Sequence, residues 1–165
     1  MSNPLVSVVM GSDSDLENMN EAVKALQQFG IAHEVDILSA HRSPRRTSEF
    51  ARGAAGRGIK VIIAGAGGAA HLAGVIAAET TLPVIGVPIP STPLNGLDSL
   101  LAIVQMPAGI PVATVAIGKA GATNAGILAA QMIALADPAV ARKLEEHKRK
   151  LAEGVEAKSR KLRKG

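Results

Sequence analysis

Three polar turns hold the residues of this chain whose types could do chemistry on a small anionic ligand. The central one is Ser39, Ala40, His41 and Arg42. An imidazole titrates near neutrality, and a guanidinium is a fixed, forked cation. His41 beside Arg42 therefore pairs a proton carrier with an anchor for phosphate. An earlier turn, Gly11 to Asp15, offers the hydroxyls of Ser12 and Ser14 at a helix start, where free backbone N–H groups and the helix dipole attract phosphate. Asp15 can accept from a ribose diol, because a carboxylate only accepts. Ser and Asp are equally what a helix cap uses, so this turn reads either as a ligand site or as a cap. The third turn runs from Gly65 to Leu72 and contains Gly67, Gly68, Ala69 and His71. It lacks the Gly-Lys-Ser/Thr of a phosphate loop. It fits the dinucleotide spacing in form, but Val84 to Pro88 stands where the ribose-binding acid belongs. Its glycines instead let backbone close over a small flat ligand, with His71 delivered by the following helix.

The elements that must position these turns follow from the apolar pattern. Leu5–Met10, Glu34–Leu38, Lys60–Ala64, Leu82–Val87 and Pro111–Ile117 read as strands. Between them, helical patterns carry Leu16, Met19, Val23 and Leu26 on one face, start at Pro44, and run to Glu79. A long Ala-rich helix spans about 122–136, and Pro138 opens a charged one. Continuous apolar strands alternating with helices predict a parallel sheet covered on both faces by right-handed crossovers. Such sheets bind ligands beyond the carboxyl ends of their strands, where all three turns fall. The 165 residues suit one α/β domain, with 138–165 as a C-terminal helix. The narrow stripe of Val140, Leu144, Leu151, Val155 and Leu162 along it predicts packing on a neighbouring subunit.

Composition narrows the function further. Phe29 and Phe50 are the only aromatics, which disfavours nucleic-acid readers that stack bases on aromatic platforms. There is no cysteine, no His-x-x-x-His and no acidic cluster beside His41 or His71, so no disulfide and no metal are expected. His33 and His147 read as a strand edge and an exposed helix face. Ten of the eighteen Lys and Arg lie between Arg142 and Lys164 with only four of the fourteen acids. The tail is basic and the body slightly acidic, which suits a solvated helix face better than a nucleic-acid groove. No signal peptide or membrane span is readable, so a cytoplasmic protein is expected.

In order along the chain, Gly11–Asp15, Ser39–Arg42, Ala64–Leu72 and Asp98–Pro107 resemble the class I N5-carboxyaminoimidazole ribonucleotide mutases of de novo purine synthesis. The likeness continues through Ala116–Gly121 and Asn124–Ala130. It implies a flavodoxin-like three-layer α/β/α sandwich on a five-stranded parallel sheet, a homo-octamer, and no cofactor. It implies an isomerase that moves a carboxylate from the exocyclic nitrogen of the aminoimidazole to ring carbon C4. By the same resemblance, Ser12, Asp15 and Arg42 hold the ribose phosphate, with Ser14, Ser39 and Ala40 beside them, and His41 is the general acid/base. Gly67, Gly68, Ala69, His71 and Leu72 enclose the imidazole and carboxylate, and Gln105–Pro107 serve a neighbouring subunit's site. Ala73 replaces the proline usual after His-Leu, which predicts a looser helix start there. Ile89–Gly96 varies in the family and is expected to decide little. Two other readings stand beside this one. The class II enzyme carboxylates aminoimidazole ribonucleotide with free CO2, but it typically has Lys in place of Arg42 and lacks the Gly-Gly-Ala-Ala-His form. The other is a non-enzymatic nucleotide- or RNA-binding module led by the basic tail.

Overall fold

A computed structural model describes residues 3–163. Five strands, β1 (Val6–Met10), β2 (His33–Ile37), β3 (Val61–Gly67), β4 (Val84–Ile89) and β5 (Ala113–Thr114), form one sheet in the order β2-β1-β3-β4-β5. Every pairing is parallel. Six helices connect and cover it: α1 (Leu16–Phe29), α2 (Pro44–Ala54), α3 (Leu72–Glu79), α4 (Leu97–Val104), α5 (Gly118–Ala134) and α6 (Pro138–Arg163). This is the expected flavodoxin-like three-layer arrangement. Its switch point lies at β1, which feeds β2 on one side while β3 pairs on the other.

Each face of the sheet has its own core. Val8, Met10, Ile63, Ile85 and Val87 pack under α1 and α5 with Met19, Leu26, Phe29, Ala125 and Ala129. Val9, Ile62 and Ala64 pack on the other face with Ala51, Ala54, Leu72, Ala73, Ile76 and Ile103. The small-residue composition has a visible purpose here. A Cβ on Gly126 of α5 would lie 2.7 Å from both the carbonyl oxygen of Ala22 and the Cβ of Ala25 on α1, so the two helices cross at backbone contact. Ala73 is buried, and α3 starts with the Val75 N–H donating to the His71 carbonyl at 3.0 Å.

Several boundaries differ from the sequence reading. α4 was not anticipated at all. Its N-cap, Gly96, is left-handed and gives no side-chain cap, so the usual start signal is missing. β3 runs on through Gly65 to Gly67, which places three of the eight residues of the glycine-rich turn inside the sheet. β5 holds only two residues rather than seven. β2 is an edge strand of mixed polarity, with Val35 and Ile37 exposed, so the sheet is not covered on both faces there.

The α6 stripe divides in two. Val140 is buried and Leu144 packs against the first core of its own chain. The Lys143 Nζ donates to the Phe29 carbonyl at 2.8 Å, and the His147 ring meets Phe29 edge-on at 5.5 Å, so His147 faces α1 rather than solvent. Beyond that point Leu151, Val155 and Leu162 are exposed. Ion pairs Lys150–Glu146 at 2.8 Å and Arg149–Glu153 at 3.2 Å offset part of the basic charge. Among the described residues no helix is long and apolar enough to cross a membrane.

Candidate active site

A cavity of about 310 Å³ opens at the carboxyl ends of β1, β2 and β3. In a parallel sheet every strand-to-helix turn emerges at the same end, so turns far apart in sequence meet there. Ser12, Ser14 and Asp15 reach it from the β1 turn. That turn is also a capping box. The Ser12 hydroxyl accepts from the Ser14 N–H, and the Ser12 N–H donates to Asp15 Oδ2 at 3.2 Å. The cap and the ligand readings therefore coexist, because the cap fixes the same groups that line the cavity. Asp15 is buried, and that burial pushes its carboxyl above the usual carboxylate range against the opposing pull of the Ser12 N–H.

The β2 turn is fastened by its own serines. Ser39 Oγ accepts from the Arg42 N–H at 3.1 Å, and the Ser43 hydroxyl donates to the Ser39 carbonyl at 3.1 Å. Pro44 then stands at the first position of α2, where its missing N–H costs nothing. Arg42 lies across to the neighbouring turn and donates to the Gly11 carbonyl at 3.3 Å. Its guanidinium thereby joins two turns at the cavity mouth. His41 lies beside it and meets His71 from the β3 turn. Nε2 of His41 is 2.8 Å from Nδ1 of His71, with the rings edge to face at 86°. Such a contact requires a single hydrogen between the two nitrogens, so one ring donates and the other accepts.

Ala66, Gly67, Ala69 and Leu72 form the cavity wall from the third turn. Gly68, with φ of 58°, turns the chain behind them. Of the expected residues, Ser12, Ser14, Asp15, Ser39, Ala40, His41, Arg42, Gly67, Ala69 and Leu72 line the cavity. Gly68 and His71 do not line it. His71 touches it through His41. Gln105, Met106 and Pro107 lie away from this cavity, where Met106 packs against Gly74 of α3. Gly11 and Ala66 line it from within two of the expected turns, and Ser91 lines it from outside all three, in the 89–96 stretch. A Cβ on Gly67 would collide with the Ser91 hydroxyl, so Ser91 occupies the room that glycine leaves. The only signal for it was a serine just past the end of a fourth strand. Among the described residues no group of three His, Asp or Glu side chains comes together as a metal site would need.

The AIR carboxylase family matches residues 5–154. The N5-carboxyaminoimidazole ribonucleotide mutase of Pyrococcus horikoshii is 56% identical over 159 residues, which is 96% of this chain and 89% of that protein. The mutase of the same name from Aquifex aeolicus is 61% identical over 142 residues, 86% of this chain and 84% of that one. Among solved structures, Treponema denticola PurE superposes with a TM-score of 0.87 at 29% identity, covering 96% of this chain and 98% of the other. The chain belongs to the AIR carboxylase family.

Proposed function

We propose that this member of the AIR carboxylase family is an N5-carboxyaminoimidazole ribonucleotide mutase, a cytoplasmic isomerase of purine biosynthesis. The observation that carries the reading is the convergence of a phosphate-suited turn, an imidazole–guanidinium turn and a glycine-rich turn on one cavity. Relatives at 56–61% identity bear that name.

The phosphate and ribose bind at Ser12, Ser14, Asp15 and Arg42. Backbone N–H groups at the turn and the guanidinium supply positive potential, and Asp15 accepts from a ribose hydroxyl. The aminoimidazole then lies toward His41 and the Gly67–Leu72 wall. His41 as imidazolium gives its proton to the exocyclic nitrogen while the N–CO2 bond breaks, leaving neutral aminoimidazole, CO2 and neutral imidazole. The ring C4 attacks the CO2 carbon, and His41 takes back a proton from C4 as the ring regains its conjugation. One imidazole serves both steps, so the proton count closes with no net uptake. His71 holds the His41 ring and fixes which nitrogen carries hydrogen. CO2 has no charge to grip, so it is kept by walls rather than by bonds. Holding both fragments in contact replaces a bimolecular recapture with an internal one.

We extend the proposal to the assembly. In a homo-octamer, Gln105, Met106 and Pro107 of one copy complete the cavity of another, and a neighbouring copy covers the exposed Leu151, Val155 and Leu162. The test of the activity is an assay of both candidate substrates. Efficient turnover of N5-carboxyaminoimidazole ribonucleotide is expected. Turnover of aminoimidazole ribonucleotide with bicarbonate, and none of the N5-carboxy compound, would replace the mutase by a carboxylase.

A further inference from the structure

We propose that Thr92 and Asp98 are positioning residues that hold the Pro90–Gly96 loop as a fixed wall behind the glycine turn, and so keep CO2 from leaving during turnover. The inference rests on the isomerase reading above and deepens it. It begins with two contacts. Space for a Cβ on Gly67 is taken by Ser91, and a Cβ on Gly68 would stand 3.4 Å from the Thr92 methyl. The glycine turn therefore closes against this loop, which sets how far the wall of the cavity can recede. Neither Gly67 nor Gly68 has a side chain with which to resist such movement.

The loop is pinned at both ends by the first turn of α4. The buried Ser99 hydroxyl lies 3.0 Å from the Ile89 carbonyl and 2.9 Å from the Gly96 carbonyl, bridging the loop's two stems. The Thr92 hydroxyl donates to Asp98 Oδ2 at 2.6 Å and accepts from the Leu94 N–H at 3.2 Å. The first of these is a charge-assisted bond, the stronger class. The Thr92 bond is the main reason the Asp98 carboxyl lies below its ordinary range. Backbone N–H groups of Ser99 and Asp98 add to the hold on this carboxylate at the start of α4. Ser91 and Thr92 are adjacent, so the pin at Thr92 also fixes where Ser91 meets Gly67.

A wall that holds a neutral gas affects leakage rather than nucleotide binding. The readout is therefore partition: the fraction of turnovers of carboxylate-labelled N5-carboxyaminoimidazole ribonucleotide that release free label rather than the C4-carboxylated product, corrected for spontaneous loss. Thr92→Val keeps the methyl contact and removes the donor. Asp98→Ala removes the acceptor, and Thr92→Ser keeps the hydroxyl. Thr92→Val and Asp98→Ala should each raise the released fraction about tenfold, the factor that one hydrogen bond to a charged group can carry, with KM little changed. The double variant should leak no more than either single one, and Thr92→Ser should retain label like the native enzyme. Thermal melts identify any variant that fails to fold, and Thr92→Ser against Thr92→Val then decides, since both are small changes at one half-buried loop position. An unchanged released fraction in Thr92→Val, or equal leakage in Thr92→Ser, would overturn the inference. Failure of the native enzyme to turn over the N5-carboxy substrate would instead overturn the isomerase reading.

Discussion

Gly67→Ala is the sharpest perturbation of the cavity wall, because its size can be worked from the contacts. Gly67 does not use the left-handed backbone region, so alanine is acceptable there and only space is at issue. The new Cβ would lie 2.9 Å from Ser91 Cβ and 3.2 Å from the Ile89 carbonyl oxygen, besides overlapping the Ser91 hydroxyl. Rotation about χ1 can take the hydroxyl away, but the Ser91 Cβ and the Ile89 carbonyl move only with the chain. Carbon atoms settle about 3.5–4.0 Å apart, so the wall and the loop must separate by roughly 0.6–1 Å. Overpacking of that kind costs about 1–3 kcal/mol of stability. A displacement near 1 Å beside the reacting atoms costs about a hundredfold in rate. Steady-state kinetics on the N5-carboxy substrate, with a thermal melt, measure both. Gly56→Ala is the control, since nothing lies within 4 Å of a Cβ there. Ser91→Gly placed in the Gly67→Ala background should recover much of the rate, because the two positions share one volume and cannot be additive. Native kcat in Gly67→Ala, or no recovery in the double variant, would refute the account.

Three further outcomes are expected. His41→Asn should keep substrate affinity and lose at least about a hundredfold in kcat, the usual size of an acid/base contribution; near-native turnover would remove His41 from the mechanism. Arg42→Ala should act mainly on KM, because a phosphate contact is held in ground and transition states alike; a pure kcat effect would mean that its bond to the Gly11 carbonyl matters more than its charge. Deleting the chain after Ala152 removes the exposed Val155 and Leu162 but leaves Val140 and Leu144 in the core. Light scattering should report a smaller assembly from it, and affinity that falls steeply with salt only in the full chain would favour a nucleic-acid role for the tail.

Much of the site was legible because chain direction does the collecting. Once alternation of strand and helix implied a parallel sheet, the three turns had to share one end, and Ser12, Asp15, Ser39, His41, Arg42 and Leu72 do meet there. α4 was not legible for a local reason. Leu97–Val104 is only eight residues long, is apolar after Asp98 and Ser99, and begins after a glycine that offers no capping side chain to mark it. β2 was expected as a strand, and the polar Glu34 and Asp36 already set it apart from the continuous apolar runs; only its place at the edge is a fact of strand order.

The glycine-rich turn was legible in position but not in meaning. Its glycines suggest a loop opened so that a ligand can approach the backbone, yet they answer to different neighbours. Gly65 sits in β3, where a Cβ would collide with the sulfur of buried Met19, so its small size serves the core under α1. Gly67 makes room for Ser91, and Gly68 supplies the positive φ that turns the chain toward His71. Only Gly67 both faces the cavity and answers to a loop from another strand. Substitution at Gly65 should therefore appear first in the melting temperature, and substitution at Gly67 first in kcat. The spacing alone hides this division, because what sets each glycine apart is the residue across from it, brought there by the fold.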